Sequence, residues 1–255
     1  MTSKIFSAAY VGFEGKLIEV ECDTSNGLPN AVIVGLANKA IDEAKERIRS
    51  SLKNINLAMP RKRITLNLAP ADLPKDGSSY DLPMAIAILA ASEQIKSTYL
   101  THSMFVGELS LDGYLRPIRG VISHVEVAKK HGFKRIFVPK ANAEQATLVD
   151  GVEIYPVNKL SDLISHLNGT SPIKPSSPPA SFATNRRVSV DFADIYGQQH
   201  AKRALEIAAA GHHNILMNGT PGAGKTMMAR ALLSIMTPAN RDEIIAITKL
   251  HSLAG

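Results

Sequence analysis

The segment Gly219-Thr220-Pro221-Gly222-Ala223-Gly224-Lys225-Thr226 has the residue types and spacing that point most directly to chemistry. Its order is G-x-x-x-x-G-K-T. Glycines let the backbone pass close to a phosphate and turn several N–H groups toward it. A helix starting at the end of such a loop adds a partial positive charge. Lys225 would place a point charge on the β- and γ-phosphates, and the Thr226 hydroxyl would ligate Mg²⁺. Gly219, Thr220, Pro221, Gly222, Ala223, Gly224, Lys225 and Thr226 are therefore the candidate ATP-binding residues, with Thr226 also the candidate metal ligand. The alternative is a glycine-rich turn that matches the pattern by accident. Context favours the phosphate loop. The apolar run Asn214–Asn218 predicts a strand before it, and Met227, Ala231, Leu232 and Ile235 predict a helix after it.

Other polar groups carry weaker signals. Phe192–Gln198 and the helical run His200–Ala210 precede the phosphate strand and could form the adenine side of a nucleotide pocket; an alanine-rich packing helix is the equal alternative. His212-His213 are adjacent, do not share a face, and make a poor metal site. Arg61-Lys62-Arg63, and Lys129-Lys130 with Lys134-Arg135, could contact nucleic-acid phosphates; solvated faces are the favoured reading.

The 255 residues are 45% hydrophobic and 20% charged, which places the chain among globular rather than disordered proteins. A net charge of +6 is compatible with a polyanionic partner such as DNA without demanding one. A single cysteine, Cys22, excludes a disulfide framework and suits a reducing compartment. Gly12, Glu14, Gly15 and Lys16 interrupt any export signal. Leu82–Ala91, the longest apolar stretch, falls well short of the roughly 20 residues of a membrane span. The expected location is cytoplasmic, with no membrane partner.

Asn168–Ala180 holds prolines 172, 175, 178 and 179 and reads as an extended linker. The expected organisation is a domain over 1–167, a Pro/Ser-rich linker over 168–187 and a second module over 188–255. In the first domain, Leu17–Cys22 alternates at period two, and Ala31–Val34 and Ile64–Leu68 are further strands. Ile41, Ala44, Ile48, Leu52 and Ile55 mark an amphipathic helix. Leu82–Ser92 predicts a buried helix with Pro83 in its first turn. Phe105–Ile118 predicts a hairpin turning at Asp112-Gly113. Ile122–His131 and Leu160–Leu167 predict helices, and Arg135–Val138 a strand. This alternation gives an α/β or α+β domain.

The stretch DIYGQQHAKRALEIAAAGHHNILMNGTPGAGKTMMAR resembles the start of the ATPase module of magnesium-chelatase-like AAA+ proteins. The stretches SNGLPNAVIVGLANKAIDEAKERIRSSL, RITLNLAPADLPKDGSSYDLPMAIAILAAS and GELSLDGYLRPIRG resemble the N-terminal domain of its ComM/YifB branch. The resemblance covers nearly all of residues 5 to 255. It implies a Lon-protease-like, ribosomal-S5-domain-2-like N-terminal domain of ChlI type, followed by the start of a P-loop AAA+ module. It also implies an oligomeric ring ATPase, a hexamer in full-length relatives, some of which resemble helicases acting on branched DNA.

By the same resemblance, Lon-type peptidases carry a serine after Pro-Lys-Asp-Gly-Pro and a lysine two residues after Pro-Ile-Gly-Gly. Here Pro74-Lys75-Asp76-Gly77-Ser78-Ser79 puts Ser79 at the serine position, and Pro117-Ile118-Arg119-Gly120 puts Ile122 at the lysine position. An isoleucine cannot take a proton from a serine hydroxyl. The dyad reads as lost, and no catalytic residue is assigned.

Asp242-Glu243 precedes an apolar run rather than ending one, so it predicts a helix first turn and not the Mg²⁺-holding pair of a second ATPase strand. By resemblance the hydrolytic acids, the sensor and the trans-acting arginine lie beyond residue 255. The expectation is the front portion of a longer ATPase: nucleotide affinity with little hydrolysis, and a part after 188 too small to cover a sheet. The alternatives are an assembly module with a vestigial P-loop, and an active serine peptidase, which Ile122 disfavours.

Overall fold

The computed structural model describes residues 2–35, 39–73, 75, 77–95, 98–178 and 189–254. It divides into two compact units, Met1–Pro179 with Ile245–Gly255, and Ala180–Ile244.

The first unit starts with two long strands, β1 (Thr2–Val11) and β2 (Glu14–Ser25), antiparallel from Thr2 opposite Asp23 to Val11 opposite Glu14. The period-two pattern of β2 turns Ile18, Val20 and Cys22 into the core and leaves Glu19 and Glu21 on the other face. Then come β3 (Asn30–Val34), α1 (Lys39–Asn54), β4 (Arg63–Ala69) and α2 (Asp81–Ala91). Next are β5 (Ser103–Phe105), β6 (Glu108–Leu109), β7 (Leu115–Arg116), α3 (Val121–Lys130) and β8 (Arg135–Pro139). The short α4 (Ala143–Ala146), β9 (Glu153–Val157) and α5 (Leu160–Leu167) complete the alternation.

Seven strands form one sheet in the order β3-β4-β2-β1-β5-β8-β9. The pairs β3–β4, β1–β5, β5–β8 and β8–β9 are parallel, and β1–β2 and β2–β4 antiparallel. The α/β alternation read from the sequence is thus a mixed, mostly parallel sheet. Parallel β5 and β8 are buried on both faces, as parallel strands require, whereas β2 and β4 bury one face and leave the other partly exposed. Phe105 joins a core that α1, α2 and α5 share with the sheet, while Met104 beside it is equally buried on the opposite face. Phe105, Phe137 and Tyr155 stand in register on β5, β8 and β9, with ring centroids 4.8 and 5.0 Å apart. In α2, Pro83 falls in the first turn, where its missing N–H costs nothing, and all residues but Ala90 are buried.

Two local expectations change. The hairpin is shorter than Phe105–Ile118. Phe105 belongs to the main sheet, and only Glu108–Leu109 pairs with Leu115–Arg116, around a turn where Gly113 takes a φ of +84°. β1 and β9 carry no clear sequence signal. β1 holds Ser7, Ala8 and Ala9 in its buried stretch, because α2 and α3 pack closely against it. Close approach also explains Gly15, where a Cβ would lie 2.7 Å from the Ser123 carbonyl oxygen. The described part of the Pro/Ser-rich segment docks on this unit. The Ile173 amide donates to His166 Nδ1 (3.0 Å) and the Ser176 amide to the Ile154 carbonyl (2.8 Å). Residues 179–187 of the expected linker lie outside the described residues.

The second unit is helical. A short turn at Phe192–Asp194 is capped by Asp191, and α6 (Gln199–Gly211), α7 (Lys225–Ile235) and α8 (Arg241–Ala254) follow. From Ile245 onward α8 groups with the first unit, where the Gly120 amide donates to the Ser252 carbonyl (3.0 Å). Phe192, Ile195, Leu205, Met228 and Ala231 form the small apolar cluster of the second unit.

The strand expected over Asn214–Asn218 is not formed. A strand needs a neighbour to complete its hydrogen bonds, and no described residue pairs with this segment. Leu216 is 94% exposed. Asp242 and Glu243 stand in the first turn of α8. The Glu243 amide donates to Asn240 Oδ1 (2.9 Å) and the Asn240 amide to Glu243 Oε2 (2.8 Å), a reciprocal cap.

No helix among the described residues is long and apolar enough to cross a membrane.

Candidate functional site

The loop between residues 219 and 226 is shaped by two left-handed glycines, Gly222 (φ +83°) and Gly224 (φ +82°). Side chains disfavour that conformation, which is why the sequence needs glycine at both places. Gly224 is the cap from which α7 starts at Lys225, and its carbonyl accepts the Met228 amide (2.9 Å). The amides of Gly222, Gly224, Lys225 and Thr226 have no hydrogen-bond partner among the described residues. A Cβ placed on Gly219, Gly222 or Gly224 would meet nothing within 4 Å, so the loop borders open space.

Lys225 folds back over the loop. Its Nζ donates to the carbonyls of Gly219 (2.8 Å) and Thr220 (2.7 Å). Thr226 is exposed at the first turn of α7. The inner face of α7 is anchored by Met228 and Ala231 in the small apolar cluster. The eight residues singled out from the sequence thus form one loop-and-helix start with unbonded donors, an exposed hydroxyl and a nearby cation. That donor set fits an anion and suits the phosphates of a nucleotide with its metal.

The expected adenine side looks different. A cavity of about 490 Å³ lies beside α6, lined by Asp191, Phe192, Lys202, Arg203, Glu206 and Ile235 among others. Lys202 Nζ donates to the Ile195 carbonyl (2.8 Å) and stands 5.2 Å from the centre of the Phe192 ring. No residue of the loop 219–226 lines this cavity.

In the first unit, the Ser79 segment is held by the strand connection beside it. The Gly107 amide donates to the Ser79 carbonyl (2.9 Å) and the Leu82 amide to the Gly107 carbonyl (3.0 Å). Asp81 is fully buried and forms a two-pronged ion pair with Arg47 of α1, Nε to Oδ2 at 2.7 Å and Nη2 to Oδ1 at 2.9 Å. It also accepts the Leu109 amide (3.1 Å). The bond from Asp81 raises the pKa of Arg47 further, so the guanidinium stays charged. Lys75 is buried, and its Nζ donates to the carbonyls of Pro70 and Leu73. Burial pushes the Lys75 pKa down.

Ile122, at the lysine position of the Lon-like pattern, is fully buried. His124 lines a cavity of about 420 Å³ with Ser79, Tyr80, Tyr10 and Leu253. Sequence reading missed His124, because only the fold brings α3 beside the start of α2. Its Nδ1 lies 2.9 Å from the Gly120 carbonyl. Burial pushes its pKa down, against the pull of the Gly120 and Ala8 carbonyls. Cys22 sits in the core, and burial pushes its thiol up to about 12, far from a reactive thiolate.

Two family descriptions match the chain: "Subunit ChlI of Mg-chelatase" over residues 20–142 and "Magnesium chelatase, subunit ChlI" over residues 191–255. Competence protein ComM of Haemophilus influenzae is 42% identical over 252 residues, covering 98% of this chain and 49% of the relative. YifB of Escherichia coli, an uncharacterized protein, is 39% identical over 253 residues, covering 99% of this chain and 49% of the relative. Lon protease 2 of Bacillus subtilis is 28% identical over 182 residues, covering 63% of this chain and 32% of the relative. The chain therefore spans about half the length of the ComM and YifB proteins it matches. With both parts matched by one family, the chain belongs to the magnesium-chelatase ChlI family, in the ComM and YifB branch.

Proposed function

We propose that this chain is the nucleotide-binding front portion of a magnesium-chelatase-like AAA+ ATPase, and that it holds Mg-ATP on Gly219–Thr226. The observation that carries this reading is the row of unbonded amides at Gly222, Gly224, Lys225 and Thr226, set where α7 begins. Nucleotide would draw Lys225 Nζ off the Gly219 and Thr220 carbonyls and onto phosphate oxygens, and the Thr226 hydroxyl would join the Mg²⁺ shell. The metal would neutralise phosphate charge. No described residue supplies the acidic pair needed to polarise an attacking water, since Asp242 and Glu243 are spent at the start of α8. Binding with little turnover is the activity of these residues by themselves.

The name of the ComM relative, a competence protein, favours DNA as the substrate of the whole assembly. A cytoplasmic ring of subunits that couples ATP hydrolysis to DNA remodelling is the corresponding reading for the full-length protein. The exposed apolar segment at Leu216 supports a longer chain whose further strands would pair with residues 214–218.

Titration with Mg-ATP tests the nucleotide reading. Lys225→Ala should weaken binding by about 1.5–3 kcal/mol, roughly 10- to 150-fold, through loss of a charge-assisted contact. Equal affinity of the variant and the parent would remove the loop from the site.

A second reading rests on Ser79 and His124 lining one cavity: a serine hydrolase with His124 as base in place of the missing lysine. A fluorophosphonate probe decides it. Labelling of Ser79 that His124→Gln abolishes would support the hydrolase, and an unlabelled Ser79 would end it.

A further inference from the structure

Positive charge is unevenly spread in this chain. Residues 39–63 hold eight basic and three acidic residues, a surplus of five in a chain whose net charge is +6. The fold concentrates part of that surplus around one groove of about 290 Å³. Lys45, Glu46 and Arg49 of α1 form one wall. Asn30 and Ala31 of β3 and the approach to β4, with Lys62, form the other. Arg61 and Arg63 flank Lys62, and all three side chains are exposed.

None of Arg61, Lys62 and Arg63 has an ion-pair partner among the described residues. Arg49 lies 3.7 Å from Glu46, an exposed pair of small energetic weight. Solvated lysines on a convex face would need no explanation. Here Lys45, Arg49 and Lys62 line a concave face, with Arg61 and Arg63 next to Lys62 in the chain, and such a cluster raises the local positive potential and attracts a polyanion. β3 is an outermost strand of the sheet, so among the described residues no neighbouring strand covers this side of the groove.

The apolar lining consists of Pro29, Met59, Pro60 and Ile64, with no aromatic side chain. Single-stranded nucleic acid is held by stacking its bases on aromatic rings, and this groove offers none. Cations without a stacking platform suit the regular phosphate rows of a duplex.

We propose that the groove between α1 and the β3–β4 edge binds the phosphate backbone of duplex DNA, independent of base sequence. The proposal rests on the DNA reading above and gives that reading a surface on the Lon-like unit, separate from the nucleotide loop.

The test is fluorescence anisotropy with a labelled DNA duplex of about 20 base pairs, long enough to present several phosphates to the groove. The parent chain should bind, with affinity falling steeply as salt rises. The triple variant R61Q/K62Q/R63Q should bind at least about tenfold more weakly near 50 mM salt, and its log–log salt slope should be shallower by about 2 to 3, roughly 0.9 per lost phosphate contact. Arg49→Gln, on a different element, should move both readouts the same way by a smaller amount, and it carries the test if the triple variant does not fold. Mg-ATP affinity should be unchanged in both. Undiminished binding by the variants, tighter binding of a single strand than of the duplex, or equal capture of poly-glutamate would overturn the groove while leaving the DNA reading in place. Failure of the parent chain to bind duplex at any salt concentration would overturn both.

Discussion

The two units differ in how completely each finishes the structure its sequence begins. In the first, thirty buried apolar residues among those described form one continuous core, and each strand of the seven-stranded sheet has a partner. In the second, five buried residues form the cluster, and the segment written as a strand stays unpaired. Yet the second carries the strongest chemical motif. A phosphate loop needs only a short turn of fixed backbone and a helix start, so a few left-handed glycines specify it. A sheet needs partners along the whole length of each strand. The comparison teaches that a legible site does not imply a self-sufficient fold.

Hydrogen exchange offers the largest test of that contrast. Amides of α2 should open only with the whole first unit, at a cost of about 5–15 kcal/mol, the usual stability of a domain. Amides of Asn214–Asn218, with no partner among the described residues, should exchange at nearly the rate of an unstructured peptide. Protection of 214–218 equal to that of α2 would erase the distinction between the units.

A mutation in the first unit should have the next largest effect. Asp81 is buried and relies on Arg47 and the Leu109 amide. Arg47→Ala removes the cation and strands a buried carboxylate, which typically costs about 3–5 kcal/mol. Chemical denaturation should show that loss in the first unit. At temperatures where the variant stays folded, its Mg-ATP affinity should match the parent. A loss below about 1 kcal/mol would mean that water already reaches Asp81.

Much of the first unit was readable because its patterns are local. Ile41, Ala44, Ile48 and Leu52 recur at helical spacing and are all buried in α1. Leu82–Ser92 is apolar nearly all round because α2 lies between other elements. β1 was not readable, since its small residues answer to the approach of α2 and α3 and not to strand propensity. The local pattern places Phe105 in a hairpin, whereas its strand pairs with β1 and β8, and its partner Phe137 on β8 lies far along the chain. At the phosphate loop the residues were legible from the motif, and the helix starts where the motif requires. The strand before it was misread, because a strand depends on a neighbour that no local pattern can supply. His124 was invisible for a similar reason: its relation to Ser79 exists only after α3 has folded beside the start of α2.

The smallest effect concerns the pH dependence of the first unit. His124 is buried on α3 with Nδ1 on the Gly120 carbonyl, and burial pushes its pKa below the ordinary value of 6.5. His166 shifts the same way, through burial and the nearby Arg135. In the unfolded chain both rings take up a proton near 6.5; in the folded chain they do so only at lower pH. Between those values the unfolded state binds more protons, so stability rises with pH. The contribution of the neutral rings is complete above about 6.5 and is lost as pH falls through the folded values. His124→Gln keeps a side-chain donor for the Gly120 carbonyl and removes the titration. It should flatten part of the stability loss between pH 6.5 and 5, leaving the share of His166. The second unit has no buried histidine among its described residues, so its nucleotide affinity should not follow the same curve. An unaltered pH slope in His124→Gln would mean that the ring takes up its proton at the same pH in the folded and unfolded chain, and that its burial contributes nothing to the pH dependence.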